Sequence, residues 1–417
     1  MSLTPRADVA IVHPAHAGPA TVATDAFATI APAAIAPART GERTAVGFYR
    51  PELDVLRFFA FLGVFICHNG QYPPDFFAKH HIPYAFGMFE NCLARAGAYG
   101  VDLFFVLSAY LITELLLREK RQRGALDIRA FYMRRILRIW PLYFAFVALV
   151  ALVPALNPNH EFGLRYVIPF LLFVGNWSVV AFGFPGASVA VPLWSVSVEE
   201  QFYLLWPPIV SRLSRRHVVY AALAMIVIAN VTRAITVVLH EHDPQVWCNT
   251  FAQLDSIALG IILAAILNED IPDIGTPLRT VLLLLGLSGL LLVARYADLS
   301  SPAVPLPWES TLIGYPVVAI GCTLIAVASL GSRSRLASSP TLRYLGKISY
   351  GLYVYHLLAG WIASHLLNMV SSAFRSGMRF LLAMGITILL AAVSYRYLEA
   401  PFLTLKRRFT HVPSRPV

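Results

Sequence analysis

The chain has 417 residues, 57% of them hydrophobic and only 13% charged, with a net charge of +10 and a mean hydropathy of +0.64. A soluble domain would carry about twice that share of charge, so composition excludes an ordinary water-soluble enzyme and predicts a polytopic membrane protein. The positive excess reads as topology rather than nucleic-acid binding: Lys and Arg collect in cytoplasmic loops, and no basic-aromatic repeat accompanies them.

Residues 1–46 are rich in Ala, Thr and Pro and lack helical periodicity, so they are expected to form a disordered tail. They hold no continuous apolar core before a cleavage site, and no removable signal peptide is expected. Residues 47–405 read as the membrane domain and 406–417 as a basic cytoplasmic tail. Eleven apolar stretches lie near 53–70, 97–117, 140–156, 164–181, 194–210, 218–239, 251–268, 279–294, 311–330, 348–368 and 378–397. The loops between them decide the threading. Arg118, Lys120, Arg121, Arg123, Arg129, Arg134, Arg135 and Arg138 mark 118–138 as a cytoplasmic segment. Arg212, Arg215 and Arg216 mark another, and Arg333, Arg335, Arg343 and Lys347 a third. Lys406, Arg407 and Arg408 place the C-terminus inside.

Eleven strict crossings would leave several of these clusters outside. With 164–181 re-entrant or interfacial, every cluster falls inside. That stretch contains Pro169, Gly175, Asn176 and Trp177. Irregular backbone at membrane depth must be buried in protein or line a cavity. The expected fold is therefore an all-α polytopic transmembrane bundle of about ten spanning helices, plus that segment, with both termini cytoplasmic. Cys67 and Cys322 lie inside apolar spans and read as packing residues. Cys92 and Cys248 fall in loops placed outside, which leaves a disulfide between them open. No zinc spacing, Walker loop or dinucleotide fingerprint occurs.

The first span carries Arg57 and His68, eleven positions apart. Eleven steps of about 100° make three turns plus about 20°, so both side chains lie on one face, roughly 16 Å apart. A charge at mid-membrane costs at least about 2.5–3.5 kcal/mol, so such groups default to a functional reading. Four further segments follow in order. They are Gly100-Val-Asp102-Leu-Phe-Phe-Val-Leu-Ser108, Phe131-Tyr-Met-Arg134-Arg135-Ile-Leu-Arg138-Ile-Trp-Pro141-Leu-Tyr143, Trp194-Ser-Val-Ser-Val-Glu199-Glu200-Gln201-Phe-Tyr203, and Tyr344-Leu-Gly-Lys-Ile-Ser349-Tyr350-Gly-Leu-Tyr353-Val-Tyr-His356. Tyr397-Leu-Glu399-Ala-Pro401-Phe402 closes the set. Any one of these matches by chance. The ordered set, from about residue 50 to 405, resembles the acyltransferase 3 family of integral-membrane acyltransferases. One departure is visible: Ser108-Ala109-Tyr110 stands where the family often has Ser-Gly-Phe.

The resemblance implies transfer of an acyl group, acetyl first among them, from cytoplasmic acyl-CoA to a hydroxyl. The acceptor would be a carbohydrate: a surface polysaccharide, a lipid-linked glycan or a small glycoside. It places the protein in a bacterial plasma membrane. It also implies that Arg57 with His68, and Arg135 with Arg138, are functional. O-acylation needs a hydroxyl proton removed during attack on the thioester, and an imidazole suits that task, so His68 is the candidate base. Arg57 stays protonated and can only bind or orient; Asp54, at i−3, offers it a plain ion pair instead. Arg134, Arg135 and Arg138 are candidates for the coenzyme A phosphates, which arginine forks match. Juxtamembrane arginines also bind anionic lipid, so topology alone is the competing reading.

Glu199 or Glu200 could orient a histidine or hold sugar hydroxyls. The alternative is a helix cap near the start of that span. Adjacent acids point about 100° apart, so one can cap while the other serves the site. Tyr203 shares a face with Glu199. Ser349, Tyr353 and His356 form a stripe that could line an acceptor or acyl channel, or simply bond helix to helix. Asp102 is placed near the site at the start of the second span, and Glu399 reads as structural at the last helix end. Ser108 and Ser197 lack the Gly-x-Ser-x-Gly setting of a nucleophile. No metal and no bound organic cofactor is expected beyond acyl-CoA as cosubstrate. The expected partners are acyl-CoA, the glycan acceptor and the bilayer. No soluble catalytic domain is expected after the last span, so any second step would be expected to need a partner protein. A transporter of glycans or small solutes is the rival reading. Carriers often show internal repeats, and none is evident between the halves.

Overall fold

The computed structural model describes residues 49–409, apart from 71–75, 80, 82, 158–160, 187, 242, 272, 298, 300–306 and 369–371. The tail at 1–46 lies outside the described residues. Among the described residues there is no strand. The helices are α1 (Pro51–Asn69), α2 (Phe76–Lys79), α3 (Tyr84–Ala98), α4 (Gly100–Arg123), α5 (Ile128–Leu152), α6 (Leu164–Leu171), α7 (Gly175–Phe182), α8 (Leu193–Arg212) and α9 (Arg215–Val238). They continue as α10 (Leu254–Leu267), α11 (Thr276–Tyr296), α12 (Tyr315–Ser329), α13 (Arg335–Ser338), α14 (Pro340–Lys347), α15 (Ser349–Leu366), α16 (Ser372–Ser394) and α17 (Ala400–Lys406). The chain is an all-helical integral membrane protein. Six of its described helices are long and apolar enough to cross a bilayer: 84–123, 128–152, 215–238, 276–296, 310–329 and 377–406. The expected number was about ten. α10 has only 14 residues, shorter than the ~20 residues of a straight crossing.

The structure refines three local readings. The basic segment at 118–138 is mostly helix rather than loop. α4 runs through it to Arg123, Gly124 closes it in the left-handed region at φ 74°, and its N–H bonds Lys120 O at 2.9 Å. Asp127 then caps α5 by accepting the Ala130 N–H at 2.8 Å. Only the turn 124–127 is left between them. Second, 164–181 has the irregular backbone expected of it. It splits into α6 and α7, with Phe173 in the left-handed region at φ 56° between them. Third, no disulfide joins Cys92 to Cys248, and all four cysteines are free. Cys92 lies in α3 rather than in a loop and turns its thiol to the Leu291 carbonyl at 3.4 Å, while Cys248 is buried.

Helices meet where small residues let backbones approach. α4 packs along α10, where a Cβ added at Gly260 would run into the Val106 carbonyl. α1 packs on α3 through facing Gly63 and Gly97. Several cations satisfy the orphan carbonyls that every helix C-terminus leaves. Lys120 Nζ donates to the carbonyls of Val210, Ser211 and Leu213 at 3.0, 2.9 and 2.8 Å, closing α8. Arg215 donates to Ala265 and Ile266 at the end of α10, and Arg279 to Ala328 and Leu330 at the end of α12. These basic residues are therefore structural caps as well as candidate topology signals.

Candidate active site

A cavity of about 1240 Å³, counting its open mouth, lies between the N-terminal half of α1, α4, the start of α5, the first half of α8, the start of α15 and the end of α17. Five cationic side chains reach it: Arg50, Arg57, Arg135, Arg138 and Lys406. Asp54 and Glu199 are its two carboxylates. One wall is apolar and comes from one face of α4: Val101, Phe104, Phe105, Leu111, Ile112 and Leu115. The α4 spacing of three to four residues is what turns that stripe to a single side. The cavity thus combines cationic side chains with an apolar wall, a lining suited to a polyanion carrying an apolar arm.

Its polar groups are held by near neighbours. Arg57 Nη1 lies 3.4 Å from Asp54 Oδ1, and the Tyr49 hydroxyl donates to Asp54 Oδ2 at 2.9 Å. The plain ion pair therefore exists, and Arg57 lines the cavity all the same. Glu199 accepts two hydrogen bonds, from Ser108 Oγ at 2.8 Å and from the Tyr203 hydroxyl at 2.9 Å. Arg135 lies over the rings of Phe131 and Tyr203, 5.5 and 5.6 Å from their centroids. Its Nε is buried with no hydrogen-bond partner among the described residues. The Tyr353 hydroxyl pairs with Ser195 Oγ at 2.7 Å and donates to the Pro192 carbonyl at 3.1 Å.

The other end of α1 holds a second group. His68 is exposed there, and its Nδ1 lies 2.9 Å from Nε2 of the buried His356. Arg379 on α16 donates to the Asn69 carbonyl at 3.0 Å, so a cation sits at the α1 C-terminus one residue from His68.

The structure thus sorts the sequence candidates. Arg57, Arg135, Arg138, Glu199, Tyr203, Ser349 and Tyr353 share the cavity. His68 and Arg57 lie on one helix face but not in one cavity, because eleven residues of rise carry His68 past the α4 wall. His356 does not line the cavity; it follows His68. Glu200 points away from Glu199 and accepts the Trp140 indole N–H at 3.1 Å. Neither acid is a cap, since α8 starts at Leu193 and both lie beyond its first turn. Asp102 faces α10 instead, where Ser256 Oγ donates to it at 2.9 Å. Arg134 turns to Glu119 at 3.2 Å and to the Phe409 carbonyl at 2.6 Å, not to the cavity. Glu399 is buried within a π-helical turn, Tyr395–Glu399, as a structural residue would be.

Sequence reasoning missed Tyr49, Arg50, Ser195 and Lys406 at the cavity and Arg379 at the far end. Tyr49 and Arg50 precede the first span, and Lys406 follows the last. No periodic stripe links them, because these residues, distant in sequence, come together only in three dimensions.

Among known proteins, the family whose model matches is described as an acyltransferase domain, and the match covers residues 50–396. A provisionally named O-acetyltransferase of Staphylococcus aureus (strain MSSA476) is 27% identical over 387 residues, covering 85% of this chain and 57% of the relative. A protein of Listeria monocytogenes named peptidoglycan O-acetyltransferase OatA is 25% identical over 372 residues, covering 85% and 56%. O-acetyltransferase OatA of Staphylococcus aureus (strain NCTC 8325) is 25% identical over 374 residues, covering 85% and 57%. The chain spans about 57% of the length of these curated relatives. No solved structure matches it.

Proposed function

This chain belongs to the acyltransferase family that its residues 50–396 match, and from that premise we propose that it moves an acetyl group from acetyl-CoA to a carbohydrate hydroxyl across a bacterial plasma membrane. The cationic cavity carries the reading. Arg57, Arg135, Arg138 and Lys406 line the cavity beside the apolar α4 wall. Guanidinium forks pair with the 3′-phosphate and pyrophosphate of coenzyme A. The unpartnered Nε of Arg135 is a donor waiting for an anion. The cavity end then faces the cytoplasm, and the His68 end faces out. The acceptor is a cell-wall or surface glycan, by analogy with the relative named for peptidoglycan.

In this reading the pantetheine arm runs from the cavity toward His68 along α1, about three helical turns or roughly 16 Å. The acceptor oxygen attacks the thioester carbonyl carbon, and the C–S bond breaks. His68 takes the hydroxyl proton and returns it to the departing thiolate, leaving an O-acetyl ester and coenzyme A. Glu199 holds Tyr203 and Ser108 in place at the cavity wall. A carrier of solutes would need neither the cationic cluster nor a histidine at its far end.

Two measurements test this. The purified chain in lipid nanodiscs should bind acetyl-CoA and lose it to free coenzyme A. Mass spectrometry of glycans from cells with and without the gene should show one acetyl group of difference. Binding without any such difference would leave a nucleotide-binding membrane protein of another activity.

A further inference from the structure

The contact between the two histidines specifies which nitrogen of His68 carries its hydrogen. His356 is fully buried, and its Nδ1 lies 2.5 Å from the Tyr353 carbonyl, one turn back on α15. A carbonyl only accepts, so the hydrogen is on Nδ1 of His356. Its two ring nitrogens face a carbonyl and a second imidazole, neither of them an anion, so burial keeps the ring neutral. A neutral imidazole has one N–H, which makes Nε2 of His356 an acceptor. That Nε2 sits 2.9 Å from Nδ1 of His68. The hydrogen between the two rings therefore belongs to His68. Phe61 and Tyr353 pack against the His356 ring, with centroids 6.4 and 5.6 Å away, which opposes a ring flip.

We infer that His356 is a positioning residue that locks His68 in its Nδ1–H tautomer, leaving Nε2 of His68 as the basic nitrogen offered to the acceptor hydroxyl. The inference rests on the reading of His68 as the base, and gives that base a fixed orientation. A bond on one ring nitrogen sets the state of the other. The direction runs Tyr353 carbonyl, His356, His68, and each link constrains the next. His356 touches neither donor nor acceptor in this arrangement.

The test is ¹⁵N NMR of histidine-labelled full-length protein in nanodiscs, with His68 assigned by its loss in His68→Gln. A pyrrole-type Nδ1 and pyridine-type Nε2 on His68 are expected. His356→Phe, which keeps the ring volume but cannot accept, should move the hydrogen toward Nε2. It should lower kcat about tenfold while leaving KM for acetyl-CoA unchanged. His356→Gln, whose amide oxygen can accept in place of Nε2, should restore both the tautomer and most of kcat. A pyridine-type Nδ1 on wild-type His68 overturns the inference, as does a tautomer unchanged in His356→Phe. If the tautomer is as inferred and His68→Gln still turns over, the inference stands and the assignment of His68 as base falls.

Discussion

Arg135 and Arg138 are three residues apart on α5 and both enter the cavity, while Arg134 turns to Glu119. Their losses should therefore differ in kind. Arg135→Ala or Arg138→Ala removes a charge-assisted contact worth about 1.5–3 kcal/mol. That raises the acetyl-CoA dissociation constant about 10- to 150-fold, measurable by titration calorimetry in detergent. An unchanged constant in folded protein would reduce them to topology signals. Arg134→Ala should instead strand the buried Glu119 carboxylate, lowering the melting temperature with little change in donor affinity. His68→Gln should cut turnover about 10²–10⁴-fold and leave donor binding intact; near-normal turnover would remove it from the mechanism. At this scale the sequence was half legible. The 100° step shows that neighbours such as Arg134 and Arg135, or Glu199 and Glu200, face different ways. It cannot say which one faces the site, because that depends on what packs against the helix.

Helix positions were readable from apolar runs, and their ends less so. The run of arginines across the end of α4 and the start of α5 looks like a loop by charge alone. Its helicity becomes visible only through Gly124 and Asp127, one a left-handed stop and the other a cap. The break between α6 and α7 was legible in outline, since Pro169 and Gly175 interrupt the stretch, but its place relative to the bilayer is set by tertiary packing. Close approach of helices was not legible at all, because a glycine in an apolar run does not announce its neighbour. Gly260 supplies the test. Gly260→Val would press side chain against the Val106 carbonyl. Overpacking of this kind costs about 1–3 kcal/mol and should lower the melting temperature in detergent. Gly385, with open space around its Cβ position, is the control. Equal melting of Gly260→Val and Gly385→Val would mean that α4 and α10 do not meet as described.

For the molecule as a whole, the threading follows from the proposed function and can be checked directly. In a background without the four native cysteines, a cysteine at Ala125 should react with an impermeant maleimide only after the membrane is opened. One at Tyr84 should react in intact spheroplasts. The reverse pattern would put the cationic cavity outside and separate it from cytoplasmic coenzyme A. Arg50 and Lys406 were the least legible part of the site, since they are far apart in sequence and line one cavity.

The distance along α1 also works as a gauge. In the proposed reading, cations hold the donor at one end of the helix, and the histidine lies about three turns away, roughly 16 Å along the axis. A donor is accepted only if its reactive carbon can reach that far while its anionic head stays anchored. Acetyl phosphate carries the right acyl group and the right charge on far too short a body. It should compete with coenzyme A for the cavity and acetylate nothing, so that reach, rather than chemical activation, decides which acyl carriers this membrane can spend.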